Sequence, residues 1–119
     1  MAKHNETGTK GEQIAENFLL NLKYEVIARN WRFGKKEVDC IVRKNDTIVF
    51  VEVKTRSSLT FGFPEESVTS QKQQYLKAAA EAWLEANPIP DGYIRFDVIS
   101  IHLHDDVVQE IRHFEDAFY

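Results

Sequence analysis

Glu37-Val38-Asp39-Cys40-Ile41-Val42 and Ile48-Val49-Phe50-Val51-Glu52-Val53-Lys54, with Asn45-Asp46 between them, decide how the rest of the chain is read. Both segments are rich in β-branched residues and predict two strands joined by a tight turn. Alternation puts Ile48, Phe50, Glu52 and Lys54 on one face of the second strand and Val49, Val51 and Val53 on the other. It puts Val38, Cys40 and Val42 together on one face of the first. A hairpin turning about Asn45-Asp46 sets Lys44 opposite Thr47, Asp39 opposite Glu52 and Glu37 opposite Lys54, and any even-length loop centred there gives the same register. Like charges directly opposed across a ladder destabilise a sheet, so Asp39 against Glu52 needs a physical reason.

One reason is a divalent cation. Mg²⁺ takes hard oxygen ligands, accepts one or two carboxylates and keeps waters for a phosphate or a nucleophile to use. Lys54 projects from the Glu52 face, where an ammonium can hold a water or neutralise charge that develops on a phosphorane-like transition state. The alternative is a solvated sheet end in which Lys54 pairs with Glu37 or Glu52.

Working outward, residues 1–8 are polar and read as a disordered leader, and 9–119 as a single domain. Thr9 three residues before Glu12 predicts a capping box opening a helix to Leu22, with Ala15, Phe18, Leu19 and Leu22 as its apolar stripe. Glu12 is then either a capping residue or a carboxylate reaching toward Asp39 and Glu52. Tyr24 to Trp31 predicts a first strand beside the hairpin. It ends in Arg29-Asn30-Trp31-Arg32, where arginines interleaved with an aromatic suit phosphate contact and stacking, or simply a solvated edge.

After the hairpin, Thr55 to Pro64 predicts a loop in which Arg56 is placed to meet a phosphate and Phe61 and Phe63 to anchor the loop or close a dimer. Ser70 to Asn87 predicts a second helix, capped by Ser70-x-x-Gln73 and stopped by Pro88, that buries Leu76, Ala79, Ala80 and Trp83. Lys72 falls on that buried stripe, so it either snorkels to solvent or points at the carboxylates. Tyr93 to Leu103 predicts a strand with Ile94, Phe96 and Val98 facing one way and Arg95, Asp97, Ile99 and Ile101 the other. Asp97 reads as the structural ion-pair partner of Arg95. His102 and His104 share a strand face but lack a third ligand at zinc spacing. Residues 104–107 predict a turn. The apolar residues of 108–119 imply a segment that docks on the body or meets a partner.

At 119 residues, with 43% hydrophobic and 29% charged residues, the composition is that of one ordinary globular domain. The chain holds no apolar run of membrane-spanning length and no hydrophobic signal core near Met1, which predicts a cytoplasmic protein. A single cysteine excludes an intramolecular disulfide and any cysteine-based metal cluster. The net charge of −4 argues against indiscriminate adhesion to nucleic acid. The charge is uneven, however: residues 23–56 hold nine Lys or Arg against five Asp or Glu, so a phosphate-binding surface belongs around the hairpin.

Asp39 followed by Glu52-Val53-Lys54 resembles the D…(D/E)xK signature of the PD-(D/E)XK nuclease superfamily. The ordered phrases Gly11-Glu12-x-x-Ala15, Arg29-Asn30-Trp31-Arg32, Glu37-Val38-Asp39, Phe50-Val51-Glu52-Val53-Lys54-Thr55-Arg56, Phe61-Gly62 and Arg95-Phe96-Asp97-Val98 are similar to the YraN family. That family consists of predicted endonuclease-like proteins related to archaeal Holliday-junction resolvases. Where its phrase carries Gly before Glu-x-Asp, this chain has Lys36, which would disturb the loop if the position needs a positive φ.

The resemblance implies an α/β fold with a restriction-endonuclease-like core in the order αβββαβ, a mixed central sheet flanked by helices. It implies hydrolysis of DNA phosphodiesters, branched or junction DNA included, with Mg²⁺ or Mn²⁺ as cofactor. Asp39, Glu52, Lys54 and Glu12 become the catalytic candidates, Asp39, Glu52 and the Val53 carbonyl the metal ligands, and Arg29, Arg32, Arg56 and Lys72 the nucleic-acid contacts. By analogy with resolvases it also implies a homodimer. Two rivals remain at this point: a nucleic-acid-binding module of the same fold without efficient cleavage, and an interaction protein whose carboxylates form a solvated edge.

Overall fold

The computed structural model describes residues 6–56, 69–88 and 92–118. Among them α1 (Glu6–Asn21), β1 (Glu25–Phe33), β2 (Lys36–Lys44), β3 (Thr47–Arg56), α2 (Ser70–Ala86), β4 (Tyr93–His104) and β5 (Val107–Phe114) follow in chain order. The strands form one mixed sheet in the order β1-β2-β3-β4-β5. Neighbours run antiparallel except β3 and β4, which are parallel and lie on either side of α2 in the chain. This is the expected αβββαβ order with a fifth strand added, an α/β sheet flanked by helices and consistent with a restriction-endonuclease-like core.

Both faces of the central strands are apolar, so both must be covered. On one face Ala15 and Leu19 of α1 pack on Cys40, Val42, Val49, Val51, Ile99 and Ile101. On the other, Leu76, Ala79, Ala80 and Trp83 of α2 pack on Ile41, Ile48, Phe50, Phe96 and Val98. The residues buried by α2 are the four its periodicity predicts. Leu22, expected on the stripe of α1, lies just past the helix end and is 39% exposed.

The helix starts differ from the expected ones. Helix α1 is already helical at Glu6, so Thr9 lies inside it and Glu12 is not the partner of a capping box. Residues 6–8 of the expected leader are therefore helical, while 1–5 fall outside the described residues. Helix α2 is capped by Thr69 and not by Ser70: the Lys72 N–H donates to Thr69 Oγ1 at 3.1 Å.

The two-residue turn at Asn45-Asp46 closes on the Lys44–Thr47 pair as expected, with Asn45 in the left-handed region. A second two-residue turn, with Asp105 and Asp106 both at positive φ, joins β4 to β5. The chain's last segment thus docks on the body: β5 completes the sheet, and beyond it Phe118 is buried and stacks on Phe96 with ring centroids 5.2 Å apart. Residues 57–68, which include Phe61 and Phe63, fall outside the described residues.

Candidate active site

Strands β2 and β3 pair from Lys44–Thr47 to Cys40–Val51, and there the ladder stops. Asp39 therefore does not face Glu52 across the ladder, and Glu37 does not face Lys54. Residues 36–38 pair only with β1, where Glu37 lies opposite Arg32. Freed from the ladder, Asp39 turns its carboxylate to the backbone of β3, and its Oδ2 accepts from the Val53 N–H at 2.8 Å.

The course of β2 changes at this point. In a regular strand Val38 shares a face with Cys40, yet Val38 packs under α2 while Cys40 packs under α1. The strand turns over at Asp39. Asp39 and Cys40, neighbours in sequence, line the same cavity under α1, about 320 Å³ in volume, together with Glu12, Glu16, Arg29, Asn30 and Val53.

Glu52 alternates with Phe50 and belongs to the α2 side. It is 4% exposed. Its Oε2 lies 3.5 Å from Lys54 Nζ and 3.4 Å from Lys72 Nζ, while its Oε1 is buried with no hydrogen-bond partner among the described residues. Of the two readings of Lys72, the structure bears out the one that points it at the carboxylates. The acids reach the end of the hairpin from opposite faces, beside the place where β2 parts from β3, and the charge of Glu52 is felt at Asp39. Burial pushes the Asp39 carboxyl up to about 7, helped by the negative charge of Glu52 and more weakly of Glu12, and opposed by the Val53 N–H and the charge of Lys72.

Gly11 brings the first helical turn to this place. An added Cβ there would run into the side chain of Thr55, so α1 can lie against the end of β3 only because residue 11 has none. The next residue, Glu12, accepts from Asn30 Nδ2 at 3.2 Å and lines the cavity with Asp39. Among the described residues no three His, Cys, Asp or Glu side chains form a group shaped to hold a metal ion.

The four basic candidates are dispersed. Arg29 forms a two-pronged ion pair with Glu16 at 2.7 and 2.6 Å, a contact that holds Glu16 below the usual carboxylate range. Arg32 lies 3.6 Å from Glu37 and is largely exposed. Arg56 ends β3 opposite His102. Lys72 reaches Glu52. Lys36 takes a regular place at the start of β2, and the positive φ of that turn falls on Gly34, so the lysine does not distort the loop. Its Nζ lies 5.6 Å from the centroid of the Tyr75 ring, and that of Lys72 lies 5.8 Å from the same centroid.

Two features lie apart from these acids. Asp97 is structural, as expected, but holds more than Arg95: its carboxylate takes Arg95 Nε and Nη2 at 2.9 and 2.8 Å, His113 at 2.7 Å and the Asp116 N–H at 3.0 Å. Cys40 is buried as expected, and burial pushes its thiol up to about 12, which removes it as a nucleophile. Asn30 was not singled out from the sequence. The signal present there was Asn, the residue other than Gly that best tolerates a positive φ, inside a strand.

The chain matches the model of a family described as "Uncharacterised protein family UPF0102" over residues 11–101. It is similar to a UPF0102 protein of Flavobacterium psychrophilum, 42% identical over 119 residues that cover 100% of this chain and 98% of that protein. A UPF0102 protein of Geotalea daltonii is 45% identical over 111 residues, 93% of this chain and 87% of its own length. A third, of Caldicellulosiruptor saccharolyticus, is 41% identical over 114 residues, covering 95% and 97%.

Proposed function

This chain belongs to the uncharacterised protein family UPF0102, and on that premise we propose that it is a metal-dependent endonuclease hydrolysing DNA phosphodiesters, with branched or junction DNA as the substrate class. The observation that carries the reading is Glu52: a carboxylate buried to 4% exposure, with one oxygen left without a partner among the described residues, whose charge helps to raise a second carboxyl, Asp39. Such a pair is costly in a fold that does nothing with it. Two hard-oxygen acids beside a gap in the sheet fit Mg²⁺ or Mn²⁺, which needs few protein ligands and retains waters. Asp39 and Glu52 would hold the ion, with the Val53 carbonyl as a further ligand.

When bound, a divalent cation supplies Lewis acidity and a water of lowered pKa. The remaining tasks fall to this chain's own groups. Lys54 Nζ, on the Glu52 face, orients the attacking water and offsets charge that develops on the phosphoryl oxygens. Lys72 neutralises Glu52 and contacts the backbone phosphate nearest the acids, and Glu12 orders water at the mouth of the cavity. Arg56 and Arg32 meet flanking phosphates. Arg29 does so only by leaving Glu16.

Calorimetric titration with Mn²⁺ tests the site, and cleavage of four-way junction, flap and duplex DNA tests the chemistry. Expected are Mn²⁺ binding that disappears in Asp39→Ala, and cleavage that falls by about 10²-fold or more in Lys54→Ala. Binding unchanged in Asp39→Ala removes the metal reading, and cleavage that survives Lys54→Ala removes the role of the lysine. A second reading, a nucleic-acid-binding module without efficient cleavage, is favoured by the two ammoniums already at Glu52 Oε2, which can neutralise it without an ion. Junction binding without cleavage in Mn²⁺ would establish that reading.

A further inference from the structure

Strand β1 carries the same defect as β2, at the position across from it. Arg29 pairs with Cys40 and Trp31 with Val38, but Asn30 and Asp39 between them are not partners. Ala28 and Trp31 pack on the same core, under α2, although residues three apart in a regular strand face opposite sides. Arg29 and Asn30 both turn toward α1, as Asp39 and Cys40 do in β2. The two strands turn over together, and Asn30, at a φ of 47°, is the residue of the four in the left-handed region.

We propose that Asn30 is a positioning residue for the acid pair: its left-handed backbone turns β1 over, β2 follows, and Asp39 is thereby swung out of the ladder onto the Val53 N–H. Asn suits this place because it enters the left-handed region at lower cost than other residues with a Cβ, whereas a β-branched residue is strongly disfavoured there. Without the turn-over, continued alternation from Cys40 would carry Asp39 to the α2 side, away from the Val53 N–H and the cavity it now lines. The side-chain bond to Glu12 is secondary: it is long for a hydrogen bond to a carboxylate and lies between exposed groups. As to metal, this inference rests on the endonuclease reading, but the backbone geometry does not.

The test compares Asn30→Gly, which keeps the left-handed conformation and loses the amide, with Asn30→Val and the milder Asn30→Ala, which disfavour it. Amide hydrogen exchange at Val53 reads the placement of Asp39, Asp39→Ala serves as the reference for its loss, and exchange at Phe50 reports that the sheet is intact. Expected is Val53 exchange roughly tenfold to hundredfold faster in Asn30→Val, matching Asp39→Ala, an intermediate effect in Asn30→Ala and near wild-type protection in Asn30→Gly. Mn²⁺ affinity should fall about tenfold to hundredfold in Asn30→Val and be retained in Asn30→Gly.

Wild-type protection in both Asn30→Val and Asn30→Ala overturns the proposal. So does loss in Asn30→Gly equal to that in Asn30→Val, which would give the positioning to the amide and Glu12. If Asn30→Val does not fold, Asn30→Ala against Asn30→Gly decides. A wild-type chain that takes up no Mn²⁺ overturns the metal reading, and the Val53 comparison then decides the placement alone.

Discussion

An aspartic acid held at about 7 makes the metal-free fold pay for ionising it. The unfolded chain releases that proton near pH 4, so between about 4 and 7 the native state carries more protons than the unfolded one, and stability falls as the pH rises through this window. Asp39→Asn removes the charge while keeping the shape. Above pH 7 the metal-free variant should melt higher than wild type, by on the order of 1–3 kcal/mol at the midpoint, and below about pH 4 the two should converge. Thermal melts across that range check it, and a wild-type curve that parallels the variant's throughout would contradict the strained carboxyl. The same proton must leave before a cation binds, so Mn²⁺ affinity should rise with pH up to about 7 and level off above it. The types of the acid residues were legible in the sequence; their environment was not, because alternation predicts a regular strand and contains no term for one that turns over at Asp39.

Among the elements, the contact between α1 and β3 is the one with least tolerance. Gly11 lies so close to Thr55 that a methyl group there would overlap the threonine side chain and force one of the two to shift, and overpacking of this kind costs about 1–3 kcal/mol. Gly11→Ala should lower the melting temperature and move Glu12 away from Asp39. Adding Thr55→Gly should recover part of the packing term, which a double-mutant cycle of melting temperatures measures. The phrase Gly11-Glu12 placed this glycine in the sequence, but only the partner at Thr55 explains it. Helix α2 was legible almost entirely, because Leu76, Ala79, Ala80 and Trp83 follow one period and Pro88 stops it. Strand β5 was not. Val107 and Val108 are exposed, and charged residues interleave the rest, so an edge strand with little to bury leaves little pattern.

Across the whole molecule, Asp97 ties the sheet to the end of the chain. Burial alone would raise its carboxyl, but the hydrogen bonds from His113, Arg95 and the Asp116 N–H hold it below the usual range. An acid depressed in the native state lends stability above its unfolded value near pH 4, and that stability is lost as the pH falls through the lower native value. Asp97→Ala leaves the largely buried His113 and the half-buried Arg95 without their carboxylate and removes the acceptor of the Asp116 N–H. Removing one member of a buried charge cluster costs about 3–5 kcal/mol, so the variant should melt more than 10 °C lower, and its melting temperature should respond less to acid than that of the wild type. Equal acid sensitivity in the two would mean that other carboxylates carry the effect. The Arg95–Asp97 pair was readable from the strand alternation. The partners from β5 were not, since they come from a strand that the sequence left as an unassigned terminus.

The parallel pairing of β3 with β4 sets an order on assembly. As the nascent chain leaves the ribosome, β1, β2 and β3 can zip together by neighbouring turns, but the second edge of β3 stays open until residues 93–104 have been made. A strand that carries Ile48, Val49, Phe50 and Val51 in succession thus spends part of its synthesis with an unsatisfied backbone edge, during which a chaperone or a second nascent copy competes for the place that β4 will take.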